Sequence, residues 1–176
     1  LSRRQRQMCI RDSDRIKPVT NANFGVHTDM EIIEIKENKK QFLPLLLLAD
    51  EQESMIDRYI DRGTMYVLGD NGVKCECVVT DEGKGILEIK NIATAPEYQG
   101  KGYGKALIDF VAAKYKGKYS ILQVGTGDSP LTVPFYEKFG FARSHSIENF
   151  FIDNYDHPIF EGGVQLTDMI YLQKKI

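Results

Sequence analysis

Between Tyr98 and Leu107 the chain reads YQGKGYGKAL, three glycines and two lysines running straight into an apolar-periodic segment. Upstream, ILEIKNIAT (Ile86 to Thr94) has the character of a strand. Downstream, KALIDFVAAKYKG sets Leu107, Phe110, Val111 and Tyr115 along one helical face. A glycine-rich turn from strand to helix gathers unpaired amide groups at the positive end of a helix dipole, a combination that attracts phosphate oxygens. Gly100, Gly102 and Gly104 let the backbone approach such a ligand without a Cβ in the way, and Lys101 and Lys105 can add charge.

Spacing narrows the choice of anion. A Walker-type loop needs four residues between its glycines and a hydroxyl after the lysine. Here three residues separate Gly100 from Gly104, and Ala106 stands where the hydroxyl belongs. A dinucleotide fingerprint needs a third glycine at its sixth position. Counting from Gly100 that position is Lys105, and from Gly102 it is Leu107. The upstream strands also read as an antiparallel meander, TMYVLGDNGVKCECVVTDEGKGILEIKNIAT, with turns at Asp70-Asn71-Gly72 and Asp81–Gly85.

The rest of the chain supplies the frame. MEIIEIK (Met30 to Lys36) reads as a strand, and residues 39–63 as one or two helices with Met55, Ile56, Tyr59 and Ile60 on one face. After the glycine loop and its helix come a strand at Lys118 to Val124 and the corner GTGDSP. LTVPFYEKFG then reads as a short helix whose apolar side is Leu131, Phe135 and Phe139. FARSHSIENFFI and GVQLTDMIYLQ read as two closing strands. The order predicts an α/β domain of the α+β type, a mixed sheet flanked by helices.

With 176 residues, 42% of them hydrophobic and 27% charged, the composition is that of one globular domain. A formal net charge of −2 offers no basic surface for nucleic acid. The longest apolar run, FLPLLLLA, is broken by Pro44 and too short to cross a membrane. The first residues, LSRRQRQMCIRDS, place four arginines against one aspartate with no apolar stretch after them. They read as a disordered or non-native tail over residues 1–24 rather than an export signal, leaving one domain over 25–176. Cys75 and Cys77 sit two apart in an alternating segment and read as core, without metal-ligand spacing, which suits a cytoplasmic setting.

Gln99, Gly102 and Gly104 match the pattern [QR]-x-x-G-x-[GA], and PFYEKFGF (Pro134 to Phe141) follows at a fitting distance. In these features the chain resembles the GNAT superfamily of acyl-CoA-dependent N-acyltransferases over most of residues 30–176. Its segment DHPIFEGGVQLTDMI looks like that of a subgroup of uncharacterised bacterial members. The resemblance implies a strand pair splayed to admit pantetheine, with acetyl-CoA as cosubstrate and no metal. It assigns Gln99, Gly100, Lys101, Gly102, Tyr103, Gly104 and Lys105 to the diphosphate, and the backbone of Ile92, Ala93 and Thr94 to the pantetheine arm. Ser129 stands near where members carry a pantetheine-contacting asparagine, beside an acidic Asp128 that suits the cofactor only if it faces away.

For chemistry, Tyr136 is the candidate general acid, since a phenol stays protonated at neutral pH and can protonate a departing thiolate. Glu88 is the candidate base, placed on the face of Ile92 by period-two counting. His145, Asp153, Tyr155 and His157 are read as structural. The expected activity is transfer of an acetyl group to a primary amine of a small molecule or peptide by direct attack in a ternary complex, from a monomer or homodimer. A catalytically silent acyl-CoA-sensing or protein-binding module on the same fold is the alternative.

Overall fold

The computed structural model describes residues 30–69 and 72–176. The arginine-rich N-terminal stretch and Asp70-Asn71 of the expected hairpin turn lie outside the described residues. Seven strands form the main sheet: β1 (Glu31–Ile35), β2 (Thr64–Gly69), β3 (Val73–Asp81), β4 (Ile86–Thr94), β5 (Ile121–Gly127), β6 (Ala142–Ile147) and β9 (Met169–Lys175). Their order is β1-β2-β3-β4-β5-β9-β6, and only β4 and β5 run parallel. A parallel pair needs a long crossover, supplied here by α3 (Tyr103–Tyr115). A mixed sheet flanked by helices is what the element order predicts.

Both faces of the sheet centre are covered. Tyr66, Leu68, Cys75, Cys77, Leu107, Leu122 and Leu172 pack on the α3 face, while Met65, Val67 and Val78 pack with Leu46, Ile56 and Ile60 on the other. This two-sided burial is why TMYVLG is apolar without alternation. Cys75 and Cys77 are free and buried, as expected of core residues.

The segment after β1 departs from the long helices expected. A 3-10 turn at Lys39–Phe42 leads into α1 (Leu43–Leu46), which has Pro44 in its first turn, and α2 (Glu53–Ile56) follows. Met55, Ile56, Tyr59 and Ile60 are buried as their spacing predicts. Lys39 closes the segment by donating to the carbonyls of Ile60 and Gly63 at 2.9 and 2.6 Å.

Two further expectations are corrected. FARSHSIENFFI is not one strand: β6 stops at Ile147, Asn149 turns with φ 56°, and Phe150–Asn154 forms α5. The short helix α4 (Thr132–Glu137) buries Val133 and Tyr136, whereas Leu131 is 60% exposed and Phe135 and Phe139 are only partly covered. A small hairpin, β7 (Phe160–Glu161) with β8 (Val164–Gln165), precedes β9.

Candidate active site

Gly100 and Gly102 have φ of 72° and 87°, conformations that favour glycine, and Gly102 caps α3. The bond from the Ala106 amide to the Gly102 carbonyl opens the helix, at 3.0 Å. Among the described residues, the amides from Gly100 to Lys105 make no hydrogen bond, and the first turn carries neither a side-chain cap nor an acid. Orphan donors at a helix head are what an anion requires. Gly104 packs close to Thr94 and Phe135, so the helix start leans on the end of β4 and on α4. Gln99 donates to the Thr94 carbonyl at 3.2 Å and ties the loop to that strand. Tyr103 meets Tyr98 edge to face. Lys101 donates to the Glu97 carbonyl, and Lys105 pairs with Asp109, both at the surface.

Pairing between β4 and β5 runs only from Ile86–Ile121 to Ile89–Val124. Beyond it β4 stays on β3 and β5 stays on β9, so the two strands part. The cause lies in β4. The register against β3 jumps from Val79–Ile89 to Val78–Asn91, leaving Lys90 as an extra residue, and such a bulge bends its strand. A cavity of about 390 Å³ opens between the strand ends, bordered by Ile92, Ala93, Thr94, Gly125, Thr126 and Gly127.

The bulge also overturns the placement of Glu88. Leu87, Ile89 and Ile92 all pack on the α3 face, so Glu88, alternating with Leu87 and Ile89, lies on the opposite face from Ile92. Counting by twos fails across an inserted residue. Glu88 is 4% exposed. One of its oxygens meets Lys90 at 2.6 Å and the other accepts from Gln123 at 2.8 Å. It borders a second cavity of about 220 Å³ with Tyr155 and Tyr171.

Tyr136 lies on the wall of the larger cavity, 6% exposed, its ring edge-on to Phe135 and Phe141. Its hydroxyl has no hydrogen-bond partner among the described residues, and burial pushes the phenol well above its ordinary pKa of 10. The group is thus a held proton next to the slot. Ser129 does not border the cavity. It is buried, and its hydroxyl accepts from the Leu131 amide at 3.1 Å ahead of α4. Asp128 pairs with Arg143 at 2.8 Å on the surface. His145 stacks on Tyr171, His157 pairs with Asp156 at the surface, and of the four residues read as structural only Tyr155 reaches the cavity.

Sequence reasoning missed Asp50, which borders both cavities and accepts hydrogen bonds from Tyr155 at 3.0 Å and Tyr59 at 3.3 Å. It missed Asn91, which donates to Tyr59 at 2.8 Å and to the Leu46 carbonyl at 3.0 Å. It also missed Glu76, a fully buried carboxyl whose two oxygens accept no well-formed hydrogen bond among the described residues.

An amide-rich helix head beside a slot between parted strands takes an extended ligand with an anionic end, which is the architecture of an acyl-CoA-dependent transferase. Comparison with known proteins agrees. The family model for the acetyltransferase (GNAT) domain matches residues 61–143. YvbK of Bacillus subtilis (strain 168), an uncharacterized N-acetyltransferase, is 35% identical over 143 residues, 78% of this chain and 90% of its own. A GNAT family acetyltransferase from Elizabethkingia anophelis, solved with acetyl-CoA bound, superposes with a TM-score of 0.79 at 36% identity, over 84% of this chain and 98% of that one. A Bacillus subtilis acetyltransferase solved in complex with CoA gives 0.76 at 31% identity, over 84% and 99%. The chain belongs to the GNAT superfamily of N-acetyltransferases.

Proposed function

We propose that the protein uses acetyl-CoA to acetylate a primary amine, by direct attack in a ternary complex. The observation that carries this is that the parted β4–β5 edge and Tyr136 border one cavity, and that the amide-rich loop from Gly100 to Lys105 begins directly after Gln99 on its wall and leans on Thr94 at the end of β4. Related proteins solved with acetyl-CoA or CoA support the choice of donor.

The chain's own groups fit that donor. The unpaired amides of the loop and the head of α3 suit the diphosphate, with Lys101 and Lys105 near enough in sequence to add charge. Backbone groups from Ile92 to Thr94 that face away from β3 have no strand partner, so they can pair with an extended pantetheine arm. One of their amides can polarise the thioester carbonyl, stabilising the oxyanion as the amine attacks. Tyr136 then gives its proton to the departing sulfur. Glu88, with both oxygens engaged by Lys90 and Gln123, works best as a fixed negative charge on the acceptor side.

The test is release of free thiol from acetyl-CoA in the presence of a panel of primary amines. Release that requires both substrates is expected. CoA binding without turnover across the panel would favour a sensing module instead.

A further inference from the structure

The acceptor side of the cleft holds a hydrogen-bonded chain outside the machinery described above. Asn91 on β4 donates to Tyr59, Tyr59 donates to one oxygen of Asp50, and Tyr155 donates to the other. Three distant stretches of sequence are spent on fixing this one carboxylate where the two cavities meet. A carboxylate oriented from both sides and left partly exposed to a cleft is placed to receive something from that cleft.

The surroundings specify what it receives. Among the described residues, Asp50, Glu51 and Glu161 stand around the larger cavity against one cation, Lys90, while Arg58 and Arg62 border the smaller one. Lys90 is already paired with Glu88 at 2.6 Å and lies 3.6 Å from Glu82. Glu161 accepts from Thr132 at 3.0 Å. The Oδ1 of Asn91, on the same wall and 2% exposed, accepts no hydrogen bond among the described residues. The charged side of the cavity is therefore rich in acceptors and poor in donors, which suits an ammonium ion with its three donors. Phe151, Tyr155, Ile159, Phe160 and Leu166 supply an apolar wall for the body that carries it.

We infer that Asp50, held by Tyr59 and Tyr155, binds the acceptor as its ammonium ion and takes the proton that must leave before nitrogen can attack, so that the acceptor is a cationic primary amine without a carboxylate. This rests on the acetyl-transfer reading above. In the step, Asp50 accepts one proton from the ammonium and passes it to solvent. The nitrogen lone pair forms the C–N bond, the C–S bond breaks, and Tyr136 protonates the sulfur. The second proton shed by nitrogen restores Tyr136. The sum is ammonium plus thioester giving amide, free thiol and one released proton. Burial raises the Asp50 pKa from its ordinary 3.8, against the hydrogen bonds from Tyr155 and Tyr59, which moves it toward the range in which a carboxylate accepts a proton usefully. The charged and titratable groups lining the two cavities it borders are Glu51, Arg58, Tyr59, Arg62, Glu88, Lys90, Tyr136, Tyr155, Glu161 and Tyr171.

The experiment compares wild type, Asp50→Asn and Tyr155→Phe in steady-state acetylation of benzylamine, 1,4-diaminobutane, phenylalanine and glutamate. CoA affinity is measured for each variant by calorimetry. The two amines without a carboxylate are expected to react at least about tenfold better than either amino acid. For them, Asp50→Asn should lose about a hundredfold in kcat/KM with CoA affinity unchanged. Its activity should climb about tenfold per pH unit toward the pKa of the amine, because only the free base then reacts, where wild type is level. Tyr155→Phe should lose several-fold and bring an acid limb to higher pH, because the carboxylate loses a donor that favours its charged form. Preference for the amino acids, or wild-type kinetics and pH profile in both Asp50→Asn and Tyr155→Phe with CoA still bound, would overturn the assignment. Failure of the wild-type protein to bind CoA would instead strike the parent reading.

Discussion

Replacing Tyr136 with Phe should slow acetyl transfer about a hundredfold or more while leaving CoA affinity within about twofold. The substitution removes one oxygen and keeps the ring between Phe135 and Phe141, so the hydrophobic packing of α4 is retained. Because the hydroxyl bonds to nothing else among the described residues, its loss leaves no structural partner unsatisfied. What disappears is the proton for the leaving thiolate, an interaction made only as the C–S bond breaks. The loss should therefore fall on kcat, best read in single turnovers so that product release does not mask it. With the phenol pushed above 10 by burial, ionisation of Tyr136 should produce no fall in rate across neutral pH. An unchanged single-turnover rate in Tyr136→Phe would remove the residue from the chemistry.

The second large effect concerns stability. Glu76 is completely buried, and desolvation pushes its carboxyl from the ordinary 4.5 up to about 8, against only a partial opposing influence from the Ala93 amide. Between those two values the unfolded chain has lost this proton and the folded chain keeps it. Stability from this group is thus intact below about pH 4.5 and drains away as pH rises to about 8, where the folded carboxyl ionises too. A separation of that size corresponds to roughly 5 kcal/mol, of which about 4 kcal/mol falls between pH 4.5 and 8.5. Glu76→Gln keeps the shape without the ionisation. Its stability relative to wild type should rise by about 4 kcal/mol between pH 4.5 and 8.5, read from urea denaturation midpoints at both values. A difference that stays constant with pH would show that Glu76 does not titrate in this way. Other titrating groups cancel in the comparison.

These two residues differ in how far the sequence reveals them. Tyr136 sits inside PFYEKFGF, a segment whose family pattern is local, so its place could be named in advance. Glu76 sits in VKCECVV between two cysteines that read as core, and nothing in that alternation marks the intervening carboxyl as buried. Its face of the strand is covered by the segment carrying α1 and α2, a non-local fact that no window on β3 contains. The glycine loop was legible for the opposite reason: φ above zero at Gly100 and Gly102 is a backbone demand met within the loop itself. The bulge at Lys90 carries no such mark, so counting by twos across it assigned Glu88 to the wrong face. Asp50, in LLADEQES, resembles any acid in a polar turn until Tyr59 and Tyr155 converge on it from elsewhere in the chain. Ser129 accepts from the turn that starts α4, a local bond that its place in GTGDSP does not announce.

On the proposed reading, free amides at the head of α3 hold the diphosphate of coenzyme A while the parted strands hold its arm. Calorimetric titration of the folded protein with CoA and with pantetheine, which lacks the diphosphate, tests this most directly, with Gly102→Val as the reference in which the loop cannot keep its left-handed turn without strain. One CoA should bind per chain, pantetheine should bind at least about a hundredfold more weakly, and CoA binding to Gly102→Val should be weakened by about tenfold or more. Equal affinity for the two ligands, or no heat with CoA from protein that remains folded, would contradict it.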